Sequence, residues 1–256
     1  MDRAPWWAPP LLAVQFLTRL PVPPLAGLTP AQAGDGLARA LVWLPLVGSL
    51  IGLSTAGVFV AAGLVWPPLI AALLALAVEA LLTGAFHEDA VADFCDAFGG
   101  TAQGEEARRI MRDSRIGSYG ALGLGLLVAL RLAAVMALPP AMAVAAIVGA
   151  ATAGRLCAVL LAAAVPPVAS GAGMAVRMAG APRARLASAL LLALPGTIPI
   201  VVLQPWPALA AGMAGLLFLA WLSAFLRWRI GGSTGDCLGF AAYIGQLLVL
   251  LAVAAG

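Results

Sequence analysis

At 256 residues, 63% hydrophobic and only 10% charged, with a mean hydropathy of +1.04, the chain has too little polar surface to cover a soluble globule of its size. Its net charge of +3, carried by fourteen arginines and no lysine, is too small and too scattered for a nucleic-acid surface. Apolar runs of about twenty residues recur and the alternation of a membrane β-barrel is absent, so the expected fold is all-α: a polytopic integral membrane protein with about seven transmembrane helices and a cytoplasmic polar site.

In chain order, MDRAPWWAPPLLAVQFLTRLPVPP opens with a short apolar run ended by Arg19 and Pro21. It lacks a small-residue cleavage site and reads as a retained interfacial or partly inserted helix over about 5–24. Thr29 to Arg39 follows, with Thr29 as helix cap and Pro30 in the first turn. Seven hydrophobic segments come next: Val42 to Val65, Pro67 to Phe86, Tyr119 to Leu138, Ala141 to Val165, Leu186 to Leu203, Ala208 to Leu226 and Leu238 to Ala255. Residues 1–256 read as one membrane domain without internal repeat, and the composition leaves a homo-oligomer open.

The connections alternate in character. Trp66-Pro67-Pro68, Pro139-Pro140 and Gln204-Pro205-Trp206-Pro207 are short and uncharged, as expected of turns at a membrane interface. The others carry arginine: Arg3, Arg19 and Arg39, then the 87–120 loop, then Arg177, Arg183 and Arg185, then Arg227 and Arg229. The positive-inside rule puts all of these in the cytoplasm in a seven-span chain. Arg131 and Arg155 lie inside apolar segments, as does Glu79, and such residues face a cavity or pair with one another. Cys95, Cys157 and Cys237 are too widely spaced for a metal knuckle or disulfide framework and read as small packing residues.

Chemistry concentrates between His87 and Gly120, where seven of the eleven acids fall. On a helix, Asp89, Asp93 and Asp96 project from one face within about 60° of each other. No arginine lies between Phe86 and Gly100, and carboxylates this close raise each other's pKa unless a cation is present. A Mg²⁺ ion held by Asp89, Asp93 and Asp96 with substrate phosphates suits that cluster, with His87 beside it, and a hydrated helix end is the alternative. A second helix is expected over Gly104 to Ile116. Pairing Glu105 and Glu106 with Arg108 and Arg109, and Arg109 with Asp113, leaves Arg112 and Arg115 over as diphosphate ligands, while Gly117-Ser118-Tyr119-Gly120 lets backbone approach a ligand. A third cluster, 227–239, carries Thr234 and Asp236 among glycines, either as phosphate contacts or, for Asp236, as a helix cap.

With these residues in view the chain resembles the cobalamin synthase family, membrane enzymes that act as adenosylcobinamide-GDP ribazoletransferases. LLTGAFHEDAVADFCDAFGG is similar to that family's TGxxHxDGxxDxxDxxGG motif, with His87, Asp89, Asp93 and Asp96 on matching positions. RRIMRDSRIGSYG resembles its second motif, placing Met111, Arg112, Asp113, Ser114, Arg115 and Gly117. Gln15 to Pro23 and Gly231 to Gly239 resemble its N- and C-terminal motifs. Ala90 stands where the family has glycine, and Glu88 replaces an apolar residue. In AVPPVASGAGMA no counterpart to the family's basic residue is evident, so only Arg155 is carried over as a phosphate contact. The resemblance implies that α-ribazole or its 5'-phosphate attacks adenosylcobinamide-GDP with release of GMP, late in cobalamin biosynthesis, at a Mg²⁺-dependent site facing the cytoplasm of the bacterial inner membrane.

Two other classes fit the sequence less well. CDP-alcohol phosphotransferases carry a DG-Ala-Arg element and a longer aspartate pattern, which this chain lacks. A secondary transporter would place carboxylates near mid-span in paired interrupted helices, whereas Glu79 is the only such acid here.

Overall fold

A computed structural model describes residues 3–138, 141–168 and 183–256 of the chain, which are helical with no strand among them. Arg177 and the Pro139-Pro140 turn lie outside the described residues. The helices are α1 (Ala8–Leu17), α2 (Pro30–Ala40), α3 (Leu44–Gly63), α4 (Pro68–Thr83), α5 (Phe86–Gly99) and α6 (Gly104–Met111). They continue as α7 (Ser118–Ala137), α8 (Ala143–Ala164), α9 (Arg183–Leu203), α10 (Pro205–Arg229) and α11 (Gly235–Ala254).

Six helical stretches are individually long and apolar enough to cross a membrane, and α4 with α5 make a seventh candidate bent by 89°. The expected all-α, multi-pass architecture is therefore present. The segment expected over Pro67 to Phe86 stops at Thr83, where Gly84 turns left-handed. α5 lies at a right angle to α4, whose own 16 residues measure about 24 Å. α1, at 10 residues, is too short to span.

Local chemistry explains the ends. Thr29 caps α2 as expected, its hydroxyl accepting from Gln32 N while the Gln32 side chain accepts from Thr29 N. Trp206 is 78% exposed at the turn between α9 and α10, in keeping with an interfacial residue.

α8 is the hub, packed against α3, α9 and α11. Lipid offers no hydrophobic drive between helices, so close packing at small residues holds such bundles together. Ser49 of α3 and Thr152 of α8 share a 2.8 Å hydroxyl contact, and both surround Gly196 of α9, where any side chain would collide. The cysteines behave as packing residues: Cys157 of α8 fills the notch left by Gly245 of α11, and Cys95 of α5 that of Gly123 of α7.

The arginine-bearing connections meet at one end of the bundle. Arg185 at the start of α9 donates to Ala38 O of α2, and Arg227 near the end of α10 to Ala164 O at the end of α8. Arg229 donates to Gly100 O and Ala102 O. Beneath this end lies a polar layer linking six helices. Glu79 of α4 accepts from Arg131 of α7 at 2.5 Å and from Thr55 of α3 at 2.9 Å, and lies 3.8 Å from Arg155 of α8. Arg155 donates to Gln246 of α11 at 2.8 Å, and Arg131 reaches Glu88 of α5 at 3.5 Å. The intramembrane charges thus pair with one another. Arg155 is 1% exposed and committed to this layer, so the phosphate contact expected of it gives way to a structural role.

Candidate active site

The joint between α4 and α5 sets the site. Gly84 (φ +74°) and Ala85 (φ +56°) are both left-handed, and Ala85 is the only described non-glycine with positive φ. That conformation is costly for a residue with a Cβ and persists only where the surroundings fix it. The N-terminal segment supplies the surroundings: Arg19 N donates to Leu82 O at 2.8 Å, the Arg19 guanidinium covers Gly84, and Phe16 meets Phe86 edge-on at 5.1 Å.

From this joint α5 runs between α7 and α11 with Val91, Phe94 and Ala97 buried. Phe94 stacks on Phe240 of α11 at 3.8 Å between ring centroids. Gly239 packs against the Ala90 methyl so closely that a side chain at 239 would overlap it. The alanine that departs from the resembled motif is thus accommodated by a glycine of another motif.

Asp89, Asp93 and Asp96 occupy the opposite, accessible face of α5, as their spacing predicts. Asp236 lies one turn before Gly239, and its charge reaches the same patch. Partial burial, reinforced by the charges of Asp89, Asp236 and Asp96, pushes the Asp93 carboxyl up to about 7.

His87 does not join the acids. Two residues from Asp89, it points to the other side of α5 and is 6% exposed. Burial, with the positive charges of Arg155 and Arg131 nearby, holds its pKa well below the usual range, so it stays neutral.

Asp96 has a second task. Its two oxygens accept from Gly117 N at 2.7 Å and Gly120 N at 2.8 Å, so it caps α7 from another helix. The backbone approach expected of Gly117 to Gly120 therefore serves a carboxylate of this chain. A Cβ at either glycine would overlap the Asp96 carboxylate. Gly120→Ala should destabilise the protein by about 1–3 kcal/mol through this overpacking, seen as a lowered thermal midpoint in detergent. An unchanged midpoint would show that the cap is dispensable.

The arginines differ from expectation. α6 ends at Met111 rather than continuing to Ile116, so helical spacing no longer governs the pairs beyond it. Arg112 reaches Glu105 at 2.6 Å, and Arg115 grips Asp113 at 2.6 Å across two residues. Neither is left over. Arg115's hydrogen bonds hold Asp113 down at about 2. Ser114 is exposed beside them. In the third cluster Thr234, not Asp236, caps α11 by accepting from Cys237 N. Ser233 is buried and donates to Val165 O, tying the loop to the end of α8. Thr234 Oγ1 also contacts Met111 Sδ at 3.6 Å.

The donor chemistry suits Mg²⁺: hard carboxylate oxygens face one patch with no cation among them. Among the described residues no three acidic, histidine or cysteine side chains form a ready cage. Mg²⁺ does not need one, since one or two carboxylates with substrate phosphates commonly hold it. Asp89 and Asp93 fit that role, with Asp236 facing them from α11.

Fold and site together define a multi-pass helical membrane protein with an acidic site at the arginine-bearing end of its bundle. The sequence matches the cobalamin-5-phosphate synthase family over residues 9–254, and the chain belongs to that enzyme family. It is 38% identical to the adenosylcobinamide-GDP ribazoletransferase of Ralstonia pickettii (strain 12J) over 95% of this chain and 94% of that protein. It is 40% identical to that of Azorhizobium caulinodans over 94% of this chain and 93% of the relative. No solved structure matches.

Proposed function

We propose that this chain joins α-ribazole, or its 5'-phosphate, to adenosylcobinamide-GDP with release of GMP, yielding adenosylcobalamin or its 5'-phosphate. The observation that carries this reading is the convergence of four distant sequence motifs around α5. The N-terminal motif braces its start through Arg19 and Phe16, and the second motif receives Asp96 at Gly117 and Gly120. The C-terminal motif packs Gly239 on Ala90.

Transfer at a diphosphate needs charge neutralisation and in-line positioning more than covalent catalysis. Asp89 and Asp93, with Asp236, would hold Mg²⁺, which when bound polarises the phosphate and offsets developing negative charge. Asp96 fixes α5 against α7, and His87 lies on the buried side of α5, away from the acids. Arg112 and Arg115 lie in solvent-exposed ion pairs, which water screens and weakens, so both can exchange their acids for substrate phosphate. Ser114 and Thr234 border the same loops. A Mg²⁺-dependent CDP-alcohol phosphotransfer is the reading that the site chemistry would otherwise serve. Membranes containing the protein, incubated with adenosylcobinamide-GDP, α-ribazole and Mg²⁺, should release GMP and form a complete corrinoid. Absence of both products overturns the reading.

The site would face the cytoplasm of a bacterial inner membrane, because the arginine-bearing connections share its end of the bundle. Seven crossings then place Gly256 on the far side. A reporter fused at Gly256 and active only in the cytoplasm should be silent, and an active one would refute the odd span count.

A further inference from the structure

We infer that Arg19, in the N-terminal segment, is a diphosphate-binding residue of this site and grips the nucleotide-linked phosphates of the corrinoid substrate. The inference rests on the transfer reaction proposed above and adds a residue to it.

The described arginines divide by what holds them. Arg39, Arg108, Arg112 and Arg115 are in ion pairs with nearby acids, and Arg131 and Arg155 are in the buried layer. Arg185, Arg227 and Arg229 donate to backbone carbonyls. Arg3 and Arg109 lie within the fields of Asp35 and Asp113. Among the described side chains, the guanidinium of Arg19, like those of Arg3 and Arg109, makes no hydrogen bond, ion pair or ring contact, and of the three it is the one at the joint that sets α5. It is nonetheless positioned. Its backbone N–H is tied to Leu82 O at 2.8 Å, and its Cζ lies 3.0 Å from where a Cβ of Gly84 would stand. Only glycine leaves room for it there.

This exposed cation covers Gly84 at the joint that opens α5, the helix that carries Asp89. Side chains on a helix lean toward its N-terminus, so the Asp89 and Asp93 carboxylates tilt toward the joint that Arg19 covers. No ion pair forms between them, which leaves acids on one side and a planar five-donor fork on the other. A diphosphate could be shared between the two: one edge with a divalent cation on the carboxylates, the other with paired N–H donors. Unlike Arg112 and Arg115, Arg19 gives up no partner to do this.

The test compares Arg19→Gln and Arg19→Lys with the wild-type protein in membranes, varying adenosylcobinamide-GDP and α-ribazole separately. Equilibrium binding of adenosylcobinamide-GDP to detergent-solubilised protein is followed in parallel by corrin absorbance. Arg19→Gln should raise both the KM and the Kd for adenosylcobinamide-GDP by about tenfold or more, with the KM for α-ribazole unchanged. Arg19→Lys should fall between, because it keeps the charge and loses the fork. If the wild type turns over and both variants match it, the inference is overturned while the reaction stands. If Arg19→Gln instead lowers kcat and protein level with no selective change in KM or Kd, Arg19 merely braces the joint and the inference is again overturned. A wild-type protein that neither binds nor converts adenosylcobinamide-GDP overturns the reaction and the inference with it.

Discussion

Asp93→Asn should lower GMP release by about a hundredfold or more while making the protein harder to unfold by heat at pH 8 without Mg²⁺. The opposite signs follow from one cause. Asp93 is half-buried, and desolvation together with Asp89, Asp236 and Asp96 raises its carboxyl from 3.8 to about 7. A carboxyl whose folded pKa is raised favours the folded state in its protonated form. The stability it contributes is therefore present below about pH 4 and is lost as pH rises through about 7. Asparagine is neutral at every pH and removes that loss at pH 8. The same substitution takes one charged oxygen from the proposed Mg²⁺ site, and losing a single preorganised electrostatic contact commonly costs about a hundredfold in rate. Adding Mg²⁺ should raise the thermal midpoint of the wild type more than that of the variant, since only a folded-state ligand stabilises by mass action. Activity is measured as GMP release and stability as thermal unfolding in detergent. A hydrated helix end without a metal would give near-normal turnover across a Mg²⁺ titration, and that result would remove the carboxylate mechanism.

This trade of stability for function also marks how far the sequence can be read. The apolar segments, the cap at Thr29 and the acidic face of α5 were legible, because each depends on periodicity or on neighbours within one turn. His87 shows the limit of the same signal: nearness in sequence suggests nearness in space, whereas a two-residue step on a helix turns the side chain to the opposite face. The pairing of Arg112 and Arg115 depended on where α6 stops, and element ends are the least legible feature of a sequence. Asp96 as a cap, and Arg19 over Gly84, were invisible in principle. Each joins segments far apart in the chain, and neither carries a local signal beyond the glycines that leave room for it. Glu79, Arg131 and Arg155 could be named as unusual from sequence, since charges in apolar segments need partners. Their geometry as a layer tying six helices could not.

That layer should make Glu79 the residue whose loss most reduces the amount of folded protein. Glu79 is 4% exposed and is the shared acceptor of Arg131, Thr55 and the Arg155 field. Removing it as Glu79→Leu leaves two buried guanidinium groups facing each other with only Glu88, at 3.5 Å from Arg131, to balance them. Breaking a buried pair by deleting one partner costs about 3–5 kcal/mol, a large part of the roughly 5–15 kcal/mol that holds a typical domain folded. The protein should accumulate poorly in the membrane and unfold at lower temperature in detergent. The double variant Glu79→Leu with Arg131→Met should recover part of that loss, because removing both partners spares the charge left unpaired in the single variant. Quantifying folded protein in membranes by size exclusion after solubilisation reads the effect directly. If the single variant accumulates normally and only GMP release falls, Glu79 belongs to the chemistry rather than to the bundle. If the double variant is worse than the single by the full cost of Arg131→Met, the two side chains are not coupled and the layer does not hold the helices together as a unit.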